Sequence, residues 1–148
     1  MQQVSRPSSN IHKPKFSPTI AKIAGEAISK KGYVSAIDLF LGIGWLTKEN
    51  VENWSSGRIP YLERVITANL NKISRTMKEF RTWATHSNLK PSLTVYKHRS
   101  HKLRFSKSGN ENIEKAYSTH FVHKKTNEVI DKSNFHVNQE FEQSSNED

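Results

Sequence analysis

Residues 87–109 read SNLKPSLTVYKHRSHKLRFSKSG and contain six Lys or Arg with no Asp or Glu. Their bulky apolar residues stand at alternate positions in two short runs: Leu93, Val95, Leu103 and Phe105. This alternation predicts a half-buried, two-stranded β-hairpin over 92–106. Pairing Val95 with Leu103 puts all four on one face, whereas a slip of one residue mixes the faces. We therefore expect a loop of three or five residues within 98–102.

The segment 60–86, just before the hairpin, carries an apolar residue every three or four positions. The residues are Leu62, Ile66, Leu70, Ile73, Met77, Phe80 and Ala84. This spacing predicts one amphipathic helix that opens at Pro60 and is about 40 Å long at about 1.5 Å per residue. The same geometry places a basic face on the opposite side, with Arg64, Arg75 and Lys78.

Capping residues predict the other helices, which begin near Ser17, Ser35, Thr47 and Ser108. The last of them is expected to run to about His123. The sequence thus predicts a mainly α fold, a small helical domain of four or five helices with one two-stranded β-hairpin.

The net charge of +9 is distributed unevenly. Residues 1–125 hold 22 Lys and Arg against 8 Asp and Glu, whereas residues 126–148 carry a formal charge of −5. Together with the polar composition of both ends, this predicts three parts. They are a disordered basic arm at 1–16, a helical domain at 17–123 and a disordered acidic tail at 124–148.

Several classes of protein are excluded by what the sequence lacks. It has no cysteine, which rules out disulfides, thiolate zinc sites and a cysteine nucleophile. Apolar runs fall short of the roughly 18 residues that span a bilayer, and no apolar signal-peptide core is present. A cytoplasmic protein is expected. There is no glycine-rich phosphate cradle and no nucleophile elbow, so no cofactor is predicted.

The basic residues favour a non-enzymatic nucleic-acid-binding protein, for either DNA or RNA. Phosphate neutralisation needs several Lys or Arg on a stiff support, and base stacking needs an aromatic ring nearby. The predicted contacts to phosphates come from the long helix and the hairpin: Arg64, Arg75, Lys78, Lys97, Arg99, Lys102 and Arg104. Tyr96 is predicted to stack on a base. No metal or catalytic residue is predicted.

Other interpretations of the same surface remain open. An adaptor could meet an acidic protein partner through these residues, or the charges could simply be solvated. A winged helix-turn-helix is disfavoured by the long helix before the wing. A small nuclease with His98 or His101 as general base lacks an orienting acid nearby in sequence. The pairs His98 with His101 and His120 with His123 lack further ligands for a metal site.

Three segments carry a resemblance, WSSGRIPYLER at 54–64, LKPSLTVY at 89–96 and LRFSKSG at 103–109. In these the chain resembles a group of short uncharacterised bacterial proteins, over roughly residues 33–122. The resemblance implies a bacterial setting and a single folded unit. It brings no activity and no site residues.

Overall fold

The computed structural model describes residues 16–124, and this part of the chain is a mixed α/β domain. It contains five α-helices, a three-stranded antiparallel sheet and a separate two-stranded hairpin. The prediction of a mainly α fold is therefore wrong, because it missed the sheet. In chain order the elements are α1 (Pro18–Lys31), β1 (Tyr33–Val34), α2 (Ala36–Ile43), α3 (Lys48–Ser55), a 3-10 helix (Leu62–Val65), α4 (Leu70–His86), β2 (Leu89–Leu93), β3 (Lys97–His98), β4 (His101–Lys102), α5 (Glu111–Ser118) and β5 (Thr119–His123).

The predicted arm and tail lie outside the described residues, apart from Phe16 and Lys124. Within the described range, no helix has both the length and the apolarity that crossing a bilayer requires.

The first three helices begin where their capping residues predict. The Ser17 hydroxyl accepts the N–H of Ile20 at 3.1 Å at the start of α1. Ser35 and Asp38 form a reciprocal capping box at α2, and the Thr47 side chain caps α3. These side chains satisfy backbone N–H groups that a helix start leaves unpaired, which is why the local sequence suffices to locate them.

β5 is the central strand of the sheet, with β1 on one edge and β2 on the other. The predicted final helix, from Ser108 to about His123, instead begins after Asn110 and ends at Ser118. Residues 119–123 are extended because both edges of their backbone find antiparallel partners. Those partners are distant in sequence, so helical spacing alone could not exclude a helix here.

The single helix predicted over 60–86 is two elements, the 3-10 helix and α4, joined by a non-helical link. The N–H groups of Leu62 and Glu63 donate to the carbonyls of residues 104–105, at 3.2 and 2.9 Å. Asn69 then caps α4. Tertiary hydrogen bonds thus replace the first turns of the expected helix.

The apolar stripe is nevertheless buried, because six of its seven residues face the core and only Leu70 is 62% exposed. Phe80 of α4 packs edge-on against Phe121 of the sheet, with ring centroids 5.1 Å apart. On the other side of the core, α2 approaches α1 at Gly42, where a Cβ would lie 2.5 Å from Cγ2 of Ile23.

The hairpin forms within 92–106, but its register is one residue away from the prediction. Lys97 pairs with Lys102, and the N–H of Leu103 donates to the carbonyl of Tyr96 at 2.8 Å. The turn consequently contains two residues rather than three or five.

This shift exchanges the two faces of the first strand. Thr94 and Tyr96 are buried, whereas Leu93 is 60% exposed. The Tyr96 ring contacts the rings of Trp54 and Phe105, with centroid distances of 5.7 and 5.2 Å. Leu93 ends β2 of the three-stranded sheet, where it pairs with Thr119, so the observed hairpin does not include it. Burial of the large Tyr96 ring favours the observed hairpin register.

Candidate nucleic-acid interface

The basic hairpin is anchored to the core at its base. The indole N–H of Trp54 donates to the carbonyl of Arg104 at 2.7 Å, and the same carbonyl accepts the N–H of Leu62. Phe105 packs on Trp54 with centroids 4.9 Å apart. Charged side chains beyond this base are therefore carried on a fixed support.

The tip of the hairpin presents three exposed cations, Lys97, Arg99 and Lys102. None of them forms an ion pair with a carboxylate of residues 16–124, where Lys31 and Asp38 make the one Lys or Arg ion pair. Arg99 has a positive φ of 58° in the two-residue turn, a conformation that glycine adopts more easily. The sequence thus places an arginine where the backbone would favour glycine.

Arg104 is held in one orientation at the base of the hairpin. Its Nε donates to the carbonyl of Ser106 at 3.0 Å, and Nη2 donates to that of Lys107 at 2.9 Å. The guanidinium carbon lies 5.7 Å from the centroid of the Tyr61 ring. The charge remains exposed while the side chain is ordered.

Two carboxylates stabilise the turn that follows Arg104. Glu114 accepts the N–H groups of Phe105 and Ser106, at 2.9 and 2.7 Å, and the Ser106 hydroxyl at 2.6 Å. Glu63 accepts the N–H of Lys107 at 3.0 Å. These acids are occupied by backbone donors, which explains their presence beside a cationic surface.

The second oxygen of Glu63 accepts the hydroxyl of Tyr117 at 2.7 Å. Burial raises the pKa of Tyr117, and this hydrogen bond raises it further. Tyr117 thus stays a neutral donor, and it joins α5 to the 3-10 helix under the hairpin.

Tyr96 does not belong to the exposed interface, contrary to the prediction that it stacks on a base. Its side chain is only 3% exposed, and its hydroxyl lies 2.6 Å from Nε2 of His120. Burial raises the pKa of Tyr96, so the phenol stays neutral. The position belongs to the core because the hairpin register turned it inward.

His120 is a buried, neutral imidazole. Burial lowers its pKa to about 4, with Lys31 lowering and Asp38 raising it. Its ring stacks on Tyr33 at 5.0 Å, and Nδ1 has no hydrogen-bond partner among the described residues. His120 and His123 do not share a helix: a separation of three along β5 sends them to opposite faces.

The structure divides the remaining predicted contacts into two groups. Arg64 lies on the 3-10 helix, whose backbone is bonded to the hairpin, rather than on α4. Arg75 and Lys78 are exposed on α4, which packs on β2 and α1. Among residues 16–124, no hydrogen bond joins Arg75 or Lys78 to the hairpin.

Two exposed bases near the hairpin were not predicted as contacts, Arg58 and Lys107. Lys107 belongs to the acid-free run, which was a usable signal. No sequence signal pointed to Arg58, because it is far from the hairpin in sequence and close to it only in space. Its neighbour Gly57 lies against the hairpin, where an added Cβ would be 3.2 Å from the ring of His98. We use the name basic hairpin platform for Arg58, Arg64, Lys97, Arg99, Lys102, Arg104 and Lys107.

Comparisons with family models, with curated proteins and with solved structures find no match to this chain.

Proposed function

We propose that this protein binds nucleic acid through the basic hairpin platform and catalyses no reaction. The observation that carries the proposal is the hairpin tip, where Lys97, Arg99 and Lys102 are exposed without ion pairs to the described carboxylates. Such cations gain most from a polyanion, because each neutralised phosphate releases a condensed counterion. Arg75 and Lys78 of α4 are a second cationic group, and their contribution is measured separately.

A duplex fits this surface better than a single strand. Binding of single strands depends on aromatic rings that stack on unpaired bases. The rings of Tyr96 and Phe105 are buried, and the half-buried ring of Tyr61 is covered on one face by the guanidinium of Arg104. A two-stranded β-ribbon is also narrow enough to enter the major groove of B-form DNA, which is about 12 Å wide.

The test compares two variants that lose the same charge. The first replaces Lys97, Arg99 and Lys102 by Ala. The second, as control, replaces the exposed lysines Lys22, Lys30 and Lys48 of α1 and α3 by Ala. Affinity for duplex DNA and duplex RNA is measured at several salt concentrations.

The logarithm of the binding constant falls linearly with the logarithm of the salt concentration, with a slope of about −0.9 per phosphate contact. We expect the hairpin variant to reduce the magnitude of this slope by about 2 to 3, and the control variant to change it by less than about 1. Equal losses in both variants would contradict a localised site. A variant of Arg75 and Lys78 to Ala shows whether α4 contacts the same ligand.

Two further measurements separate this proposal from its rivals. Polyglutamate that binds as tightly as duplex DNA at matched charge would favour an acidic protein partner instead. Cleavage of the nucleic acid that disappears in the His98→Ala, His101→Ala variant would favour a nuclease. We expect neither result.

A further inference from the structure

A groove of about 300 Å³ separates α4 from the sheet, on a part of the molecule that the basic hairpin platform does not use. Its floor is apolar and its rim is polar; the residues that matter here are Met77, Phe80, Leu89 and Phe121 on the floor, with Arg81 and Thr85 at the rim. Among the described residues that line it, Arg81 is the one with a charge, and it has no ion pair within residues 16–124.

The chain leaves the described domain beside this groove. His123, the last residue of β5, pairs with Leu89, which lines the groove. Lys124 donates to the side chain of Asn88 at 3.2 Å. Residues that follow Lys124 therefore start at one end of the groove, and six more residues reach about 20 Å when extended.

The side chains of residues 128–131, which lie within that reach, complement the apolar floor and the basic rim of the groove. Residues 128–131 read EVID, two β-branched apolar residues between two carboxylates. The apolar pair suits the floor, and a carboxylate suits Arg81.

We propose that residues 128–131 of this chain dock in the groove, with Val129 and Ile130 against its floor and the flanking carboxylates next to Arg81. Side-chain insertion is favoured over addition of a strand, because Pro91 in the middle of the edge strand β2 has no N–H to donate. Docking would stabilise the domain by covering apolar surface that the groove leaves open. It does not depend on nucleic-acid binding.

The absence of cysteine from the sequence makes a cross-linking test clean. The full chain is prepared with Thr119→Cys, which lines the groove at the end away from Leu89, and Ser133→Cys, just beyond the docking segment. The matched control carries the same two cysteines together with Val129→Asp and Ile130→Asp, so the tether length is unchanged. The rate of intramolecular disulfide formation under mild oxidation is followed by mass spectrometry.

We expect the control to form the disulfide about tenfold more slowly, because docking raises the effective concentration of the second thiol. Equal rates in both proteins would overturn the proposal. Disulfide-linked dimers as the main product would overturn it too, in favour of a groove filled by a second copy. In the cysteine-free chain, amide NMR shifts of Leu89 and Phe121 should move on Val129→Asp, Ile130→Asp; unchanged shifts would count against docking.

Discussion

The hydroxyl of Tyr96 and Nε2 of His120 lie 2.6 Å apart inside the core, although 24 residues separate them. One group belongs to the segment that enters the hairpin, the other to the central strand of the sheet. Their hydrogen bond gives Nε2 of His120 a partner inside the core, where an unpaired polar atom is costly. It also ties the hairpin to the sheet and so sets where the cationic tip stands.

The first prediction concerns the hydroxyl itself. Tyr96→Phe should lower the free energy of unfolding by about 1–3 kcal/mol, because it removes the described hydrogen bond of His120. Affinity for nucleic acid should stay within about twofold, since the ring is not exposed. Tyr33→Phe is the control, with a hydroxyl that makes no hydrogen bond within residues 16–124. Urea denaturation and a binding titration check both statements; a large loss of affinity in a folded Tyr96→Phe protein would restore the stacking role.

Acidification should destabilise the fold through His120. Its folded pKa of about 4 lies below the value of about 6.5 expected in the unfolded chain, so between these pH values the unfolded state binds more protons. Stability contributed by neutral His120 is therefore complete above about pH 6.5 and is lost as pH falls towards 4. By pH 4.5 the loss should be about 2–3 kcal/mol.

The control for this pH dependence is His120→Gln, which cannot titrate. The difference in unfolding free energy between the two proteins should shrink by about 2–3 kcal/mol from pH 7.5 to pH 4.5. A difference that stays constant over this range would show that His120 is not the group responsible.

Arg99→Gly should weaken nucleic-acid binding without lowering the stability of the fold. Glycine relieves the positive φ of 58°, so the free energy of unfolding should be unchanged or rise by up to about 1 kcal/mol. The loss of one phosphate contact should lower the salt slope of duplex binding by about 0.9. Ser100→Gly keeps the charge at a position without positive φ and should weaken the hairpin slightly while leaving the salt slope alone. An unchanged slope in Arg99→Gly would remove Arg99 from the interface.

The carboxylate of Glu114 should be essential for the turn below the hairpin. Glu114→Ala leaves the N–H groups of Phe105 and Ser106 without their acceptor and should cost about 3 kcal/mol of unfolding free energy. Glu111→Ala, an exposed acid one turn earlier on α5, should cost less than about 1 kcal/mol. Comparable losses in thermal or urea denaturation would argue against this role.

Features of the fold that depend on neighbours in sequence were predictable. Ser17, Ser35 and Thr47 cap helices where expected, because a cap bonds to N–H groups within three residues. Apart from Leu70, the apolar stripe from Leu62 to Ala84 identified core residues correctly, even at Ile66, where the backbone is extended. Burial follows from the side chain, whereas the path of the backbone depends on which partners its hydrogen bonds find.

The start of α5 at Asn110 instead of Ser108 was a local error, and the larger errors arose from distant partners. Leu62 and Glu63 bond to the hairpin strand instead of extending α4, and residues 119–123 join a sheet instead of a helix. For the site, the exposed bases of the tip were visible in the sequence, but Arg58 was not, and Tyr96 was assigned to the wrong face.

The sequence by itself determined the starts of the first three helices, most of the apolar residues that fill the core and the acid-free segment that carries the charge. Only the tertiary structure decided the strand register, the order of the sheet and which bases adjoin the hairpin. The physical reason is that capping and amphipathic spacing act over three or four residues, whereas a strand accepts either register until its side chains meet the core. In this protein the hairpin register is the one that buries the ring of Tyr96 against Trp54, Phe105 and His120.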